Sequence, residues 1–378
     1  MKVKTIKGNS FSEIKTAIEE SIVDVFNPTL AIVFVPYLFD MISIRDLFVT
    51  KGVSVFGSSS FGNFIDRSYD KESIVAMLFE INPDYFRIIF KETGNKTTKE
   101  IAISIGQDAT EIFAKPSFII GAGGVKTDGE MIVEGILEGT EKKSKISGGL
   151  ASGDFSLMKT TVFDSHHISD DAIVALILDE EHILLNGLAV GGWKPLGIYH
   201  TITKSEGNVV YTIDDLPALD QALRYSGIDI NKVEKEDLVF RISRNFQLEL
   251  HRDNAFPIMR TPTFADLENK AIVFAGSVPM GSKVKFCLLP GFEVTANLIK
   301  EYDEYQKEIS TADAMILFSC AGRELSLGPW IEEEIDGIQQ IWNSPLVGFF
   351  TNGEIGPDKN GNVEFYNMTC SLVLLSQI

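Results

Sequence analysis

Short apolar runs rich in Val, Ile and Phe alternate along this chain with stretches whose apolar positions recur every three or four residues, and glycine-rich turns divide them. The first pattern predicts buried strands and the second amphipathic helices. Strands are expected at 30–36 (LAIVFVP), 73–79, 117–123, 172–178, 209–213, 271–276, 284–289, 314–320 and 371–375. Helices are expected at 10–25, 41–50, 97–112, 130–140, 216–226, 291–311 and 328–342, the one at 291 opening after Pro290 and Gly291. Interleaved strands and helices define the α/β class, here with mixed sheets.

One octet recurs. GSSSFGNF (57–64), GGLASGDF (148–155) and GFFTNGEI (348–355) align without gaps as G-x-x-[STA]-x-G-[NDE]-[FI]. A β-prone run precedes each copy (VSVF, SKIS, SPLV), another follows it, and a strand and a helix lie upstream. The chain thus reads as three units of strand, helix, strand, Gly-turn, strand. A helix-containing crossover makes the first two strands of a unit parallel, so the turns gather at the carboxyl ends, where open α/β sheets collect ligands. The first glycine is expected to release the chain sharply or leave room for a ligand, and the residue at Asn63, Asp154 or Glu354 to be the polar group the turn presents. A break near Pro217 divides the units into two lobes, 1–215 and 216–378, with a crevice between them.

The remaining composition narrows the function. The 378 residues are 44% hydrophobic and 23% charged, enough for well-buried cores. A formal charge of −19 opposes binding to nucleic acid or anionic lipid surfaces. No apolar run is long enough to span a bilayer and the start has no signal-peptide pattern, so the cytoplasm is expected. Cys287, Cys320 and Cys370, odd in number and far apart, read as reduced thiols rather than a disulfide framework or zinc knuckle. No metal or cofactor is called for.

Chemical motifs are sparse. The glycines around Ser59 and Ser60 are five apart, not four, and the other copies carry Ala151 and Thr351 at the Ser60 position, which excludes a nucleophile elbow. None of His166, His167, His182, His200 and His251 has a triad context. GSVPMGSK (276–283) has its lysine one place late for a phosphate loop and a strand where a helix is needed, so it reads as a hairpin turn. GAGG (121–124) lacks the third glycine of a dinucleotide loop. SCAGRE (319–324) ends a strand with Cys320 and supplies Arg323, a planar fork suited to a carboxylate or phosphate, or to a structural acid. VGGWKPLG (190–197) offers Trp193 as a pocket wall, and IEEEID (331–336) reads as a solvated helix face.

GSSSFG, GGLASGD, GGWKPLGIYHTITKSEGNVVYTIDDLPAL, MILFSCAGRE and PLVGFFTNGEIGP stand in the order in which a FIST protein, of the F-box and intracellular signal transduction family, carries them. The chain resembles both family halves, from about 28 to 215 and from about 216 to 360. The resemblance implies a sensory role in which small molecules, amino acids among them, are bound beside kinase, cyclic-dinucleotide or chemoreceptor modules. Only a last strand follows residue 360, so any signal is expected to pass to a separate partner such as a kinase or chemoreceptor. Ser58 stands where the family often has Cys, which removes a thiol from the first turn.

For an amino-acid ligand, Arg323 is expected to hold the carboxylate and Glu354 or Asp154 the ammonium, with backbone N–H groups at Gly62, Gly149 and Gly192 completing a nest. The expected binding set is Ser59, Ser60, Gly62, Asn63, Gly149, Asp154, Gly192, Trp193, Cys320, Arg323 and Glu354. Two other classes stand beside the sensor: a hydrolase or transferase using Cys320, and an interaction module that binds no small ligand.

Overall fold

The computed structural model describes residues 1–22, 26–124, 127–141, 144–153, 160–252, 255–287, 291 and 293–378. It is a mixed α/β protein, built from three units of one plan. The first runs β1 (Lys2–Gly8), α1 (Phe11–Ser21), β2 (Leu30–Pro36), α2 (Met41–Val49), β3 (Ser54–Ser60), β4 (Asn63–Ile65), β5 (Ser68–Asp70), β6 (Ile74–Glu80). The second runs β7 (Phe86–Glu92), α3 (Thr98–Ile112), β8 (Pro116–Ala122), α4 (Gly129–Gly139), β9 (Ile146–Leu150), β10 (Val162–Asp164), β11 (Ile168–Ser169), β12 (Ala172–Asp179). The third opens with β13 (Ile183–Val190) and is then interrupted by a separate sheet.

That inserted sheet holds β14 (Leu196–Glu206), β15 (Val209–Ile213), β16 (Leu216–Pro217), α5 (Ala218–Ser226), α6 (Lys235–Asn245), β17 (Gln247–Leu250), β18 (Ile258–Arg260), β19 (Pro262–Asp266), β20 (Ala271–Phe274) and β21 (Lys283–Cys287). The third unit then resumes with α7 (Glu293–Gln306), β22 (Ala314–Cys320), α8 (Ala321–Leu327), α9 (Trp330–Trp342), β23 (Leu346–Thr351), β24 (Glu354–Pro357), β25 (Val363–Tyr366) and β26 (Cys370–Gln377). Position 215/216 falls inside the inserted sheet, where β15 pairs with β16.

Local chemistry sets the elements. In the first two units the helices start where a side chain can take the orphan N–H groups: Ser10 caps α1, Asp40 α2, a Thr97–Glu100 capping box α3, and Asp128 α4. The strands β2, β8 and β22 are buried at every position, as strands covered on both faces must be. Each is parallel to the second strand of its unit and antiparallel to the last (β2 with β3 and β6, β8 with β9 and β12, β22 with β23 and β26).

The outer part of each six-stranded sheet is borrowed. The β4–β5 hairpin of the first unit joins the third sheet beside β23, β10–β11 of the second joins the first beside β3, and β24–β25 of the third joins the second beside β9. Each unit gives a hairpin to one neighbour and receives one from the other, which closes a ring. The inner sheet faces share one core, with Ile32 and Phe34, Ile119 and Leu176, and Ile316 and Phe318 from the three units in turn. Helices cover the outer faces.

The register explains the first glycine of each octet. Gly57 lies opposite Phe163, Gly348 opposite Phe64, and Gly148 opposite Ile355, each partner coming from a borrowed strand. A Cβ on Gly57 would meet the Phe163 ring at 2.1 Å and one on Gly348 the Phe64 ring at 2.0 Å, while at Gly148 it would strike the Ile120 carbonyl at 2.1 Å. At Gly57 and Gly348 the room is taken by a neighbouring unit, and at Gly148 by the parallel strand β8 of its own unit. The same register puts Asn63, Glu354 and Val162 at equivalent places, opposite Phe349, Gly149 and Ser58. This corrects the octet alignment: Val162, not Asp154, matches Asn63 and Glu354, because the second unit enters its borrowed strand later.

GSVPMGSK is also corrected. β20 and β21 are not neighbours, since β15 and β14 lie between them, so the segment crosses the sheet and is not a hairpin. Two elements went unexpected as helices, α6 and the short α8.

Candidate functional site

The three Gly-turns do meet, and they bond mainly to one another. Ser59 Oγ donates to the Ser152 carbonyl at 2.8 Å, Phe61 N–H donates to Ser152 Oγ at 2.8 Å, and Phe350 N–H donates to the Gly62 carbonyl at 3.0 Å. Asn352 N–H reaches the Leu150 carbonyl at 3.1 Å, and Leu150 N–H reaches that of Gly353 at 2.9 Å. Ser59 and Ser60 are fully buried in this knot, and the buried Gly62 faces the Tyr69 ring. Gly149 packs against the Thr351 methyl, 2.5 Å from where its Cβ would stand. Asn63 Nδ2 donates to the carbonyls of Ser73 and Phe34, which ties β4 to the ends of its own unit.

Arg323 and Glu354 are engaged internally, not presented to a ligand. Arg323 has no exposed surface; its Nε and Nη2 donate to the two oxygens of Glu334, and Nη1 donates to the carbonyls of Gly191 and Met368. Four of its five N–H donors are thereby used, leaving no fork for a ligand carboxylate. Glu334, read as part of a solvated face, is 1% exposed. Glu354 is fully buried and takes hydrogen bonds from Thr369 N and Oγ1. Burial pushes its carboxyl up to about 8. A protonated Glu354 can donate to Thr351 Oγ1, 2.5 Å away, freeing that hydroxyl to donate to the Ser319 carbonyl.

Gly192 has φ +71°, and its Cβ would stand 2.3 Å from the Val294 carbonyl, so it is there for the close approach of α7. Trp193 donates from its indole to the Met368 carbonyl at 2.7 Å and packs with Met259, Cys287, Cys320 and Met368. Burial holds the Cys320 thiol far above its ordinary range. Asp154 lies outside the described residues.

An open crevice of about 530 Å³ lies instead beside the knot, between the second unit and the inserted sheet. One wall is the carboxyl end of β8 and β9 with the start of α4: Ala122, Gly124, Asp128, Leu150 and Ala151. Asn352 of the third turn and Phe365 of β25 extend it. The facing wall carries Asn208, Phe264, Phe274, Gly276 and Ser277. The segments GAGG, GSVPMGSK and two of the three octets therefore border one space. Burial, reinforced by Glu130, raises the Asp128 carboxyl above its ordinary value.

A clamp fixes the two walls. Arg260, 2% exposed, reaches across from β18 to Glu130 in the first turn of α4, and Ser277 donates its N–H and Oγ to Glu130 Oε2. Arg260 also donates to the carbonyls of Ser277 and Phe365. The guanidinium lies against Gly276, whose Cβ would stand 2.7 Å from Nε, so this glycine serves the clamp. Asn352 and Asn208 each spend their amide N–H on a neighbouring carbonyl, Ala151 and Phe274. Sequence reasoning missed Glu130, Arg260, Asn208 and Asn352 because their partners lie 66 to 201 positions away. Asn352, within an octet, and Asn208, within the segment 191–219 that carries the family resemblance, stood inside quoted motifs.

The molecule is thus a ring of three α/β units with a sheet inserted into the third and a crevice at strand carboxyl ends, the place where open α/β sheets collect ligands. The chain belongs to the FIST family: the FIST N domain matches residues 29–216 and the FIST C domain residues 218–357. The family is associated with sensory signal transduction. An uncharacterized protein of Mycobacterium tuberculosis is 24% identical over 238 residues, 61% of this chain and 60% of its own length. An uncharacterized protein of Mycobacterium bovis is 22% identical over 246 residues, with the same coverages. The chain thus spans about 60% of the length of the curated relatives it matches. No helix among the described residues is long and apolar enough to cross a membrane.

Proposed function

We propose that this protein is a small-ligand sensor whose ligand, an amino acid or a metabolite of similar size, is held in the crevice between the second unit and the inserted sheet. The observation that carries the reading is convergence. Glycine-rich segments far apart in sequence border one space at the carboxyl ends of parallel strands. Both expected segments, 1–215 and 216–378, contribute walls.

The crevice chemistry supports a zwitterionic or neutral ligand over an anion, because its described lining contains Asp128 and neither Lys nor Arg. Asp128 is suited to an ammonium, and the side-chain oxygens of Asn208 and Asn352, whose amide N–H groups are engaged, can accept from it. In this reading the protein acts in the cytoplasm and passes its signal to a separate partner such as a kinase or chemoreceptor, by a change in the angle that the Glu130–Arg260 clamp holds. The enzyme reading on Cys320 draws less support, since a buried, protonated thiol is a poor nucleophile.

A thermal-shift screen against amino acids and small metabolites tests the reading. A ligand at a hundredfold excess over its Kd adds about 2.7 kcal/mol, roughly 3 °C for a chain of this size. Ala275→Phe, which fills the crevice from its rim, should remove that shift while leaving the unliganded melting temperature within a few degrees.

A further inference from the structure

A second cavity, sharing no lining residue with the crevice, opens where the glycine strap after β13 meets the inserted sheet. Its volume is about 230 Å³, room for roughly eight water volumes. Three aromatic rings line it, Trp193, Phe256 and Tyr366, together with the carboxylates Glu249, Glu301 and Asp358.

The polar groups differ in how far they are already engaged. Glu301 is paired with Lys359 at 3.1 Å, the only base among the described lining residues. Asp358 accepts three hydrogen bonds from its own loop, from the N–H groups of Asn360 and Asn362 and from Asn362 Nδ2. Glu249 makes no ion pair within 4.0 Å among the described residues, and its side chain accepts none of the described hydrogen bonds. Burial raises its carboxyl above the ordinary range, against the weaker pull of Lys285 and His251. Tyr366 is 95% buried, and its hydroxyl has no hydrogen-bond partner among the described residues. The open acceptor facing the cavity is therefore the Glu249 carboxylate, and Tyr366 contributes its ring to the wall.

We propose that this cavity binds a primary alkylammonium ion, its N–H donors taken by the Glu249 carboxylate and its chain lying among Trp193, Phe256 and Tyr366. An ammonium has three donors and no acceptor, which matches a site made of acceptors. Aromatic faces attract a cation and also cover its apolar stem. A carboxylate ligand would face three acids against a single, already paired lysine. The site is independent of the crevice assigned to the sensed ligand.

Isothermal titration with n-butylammonium chloride, against butan-1-ol and sodium butanoate as uncharged and anionic analogues, tests the proposal. Saturable one-to-one binding is expected for butylammonium alone. Glu249→Gln, which keeps shape and removes charge, should weaken it about tenfold or more. Phe256→Ala, at a ring already 40% exposed, should weaken it without disturbing the fold. Ala275→Phe in the other crevice should leave it unchanged. The proposal is overturned if butylammonium does not bind, if butan-1-ol binds equally well, if Glu249→Gln has no effect, or if Ala275→Phe abolishes binding.

Discussion

Arg323 and Glu334 form a fully buried ion pair, with Nε to Oε1 at 2.9 Å and Nη2 to Oε2 at 2.5 Å, at relative exposures of 0% and 1%. The pair joins α8 to α9, and through Nη1 it holds the Gly191 carbonyl and the Met368 carbonyl, which also accepts from the Trp193 indole. Removing one partner leaves an uncompensated buried charge, at a cost of about 3–5 kcal/mol. Arg323→Met should therefore lower the denaturation midpoint strongly, and the double variant Arg323→Met/Glu334→Leu should recover much of the loss. Urea unfolding of the three proteins checks this; a near-neutral single variant would contradict the pairing.

The exchanged hairpins predict a coupling between distant residues. Gly57→Ala drives a methyl into the Phe163 ring, 106 positions away, and should cost 1–3 kcal/mol or more, as overpacking does. Phe163→Leu in the same chain should relieve part of that cost, giving an interaction energy of about 1 kcal/mol in a double-mutant cycle. Strict additivity would mean that β10 does not lie beside β3.

Glu354 makes stability depend on pH. Its folded pKa, about 8, stands above the ordinary carboxyl value, so between those limits the folded state holds a proton that the unfolded state has lost. The stabilisation is complete below the ordinary carboxyl range and is lost as pH rises towards 8, with a slope of up to about 1.4 kcal/mol per pH unit. Denaturation midpoints measured across that window should fall in the native protein, and more steeply than in Glu354→Gln. Equal slopes would show that Glu354 is ionised throughout.

All three thiols should resist alkylation in the native state. Burial pushes Cys287 up to about 12 and Cys320 and Cys370 higher, so almost no thiolate exists at neutral pH. Mass spectrometry after iodoacetamide treatment should find modification only after unfolding. Rapid native labelling of Cys320 would revive the nucleophile reading.

Much of the frame was legible in the sequence, because β2, β8 and β22 are continuous apolar runs and the octet marks the same turn in each unit. What escaped depends on distance. Nothing local says that Phe64 covers Gly348 or that Phe163 covers Gly57, so the octet glycines looked available to a ligand. Glu334 sits in a run of acids, and only the packing of α9 turns it inward to Arg323 while Glu332 and Glu333 stay exposed. The edge strands β1 and β7 interleave Lys, Arg and Glu with apolar residues, as edges do, and were overlooked as strands. A crevice does open at the carboxyl ends of β8 and β9, though between the second unit and the inserted sheet, and its polar groups were not legible. Asp128 reads as a helix cap, and Glu130 and Arg260 find each other across 130 positions.

The central claim is that a small ligand occupies the crevice bounded by Asp128, Asn208 and Asn352. Isothermal titration of the ligand found by thermal shift, into the native protein and into Asn208→Leu and Ala275→Phe, tests it most directly. The account predicts one-to-one binding to the native protein, weakened about tenfold or more in Asn208→Leu and lost in Ala275→Phe. Undiminished binding to both variants would place the ligand elsewhere and contradict the assignment.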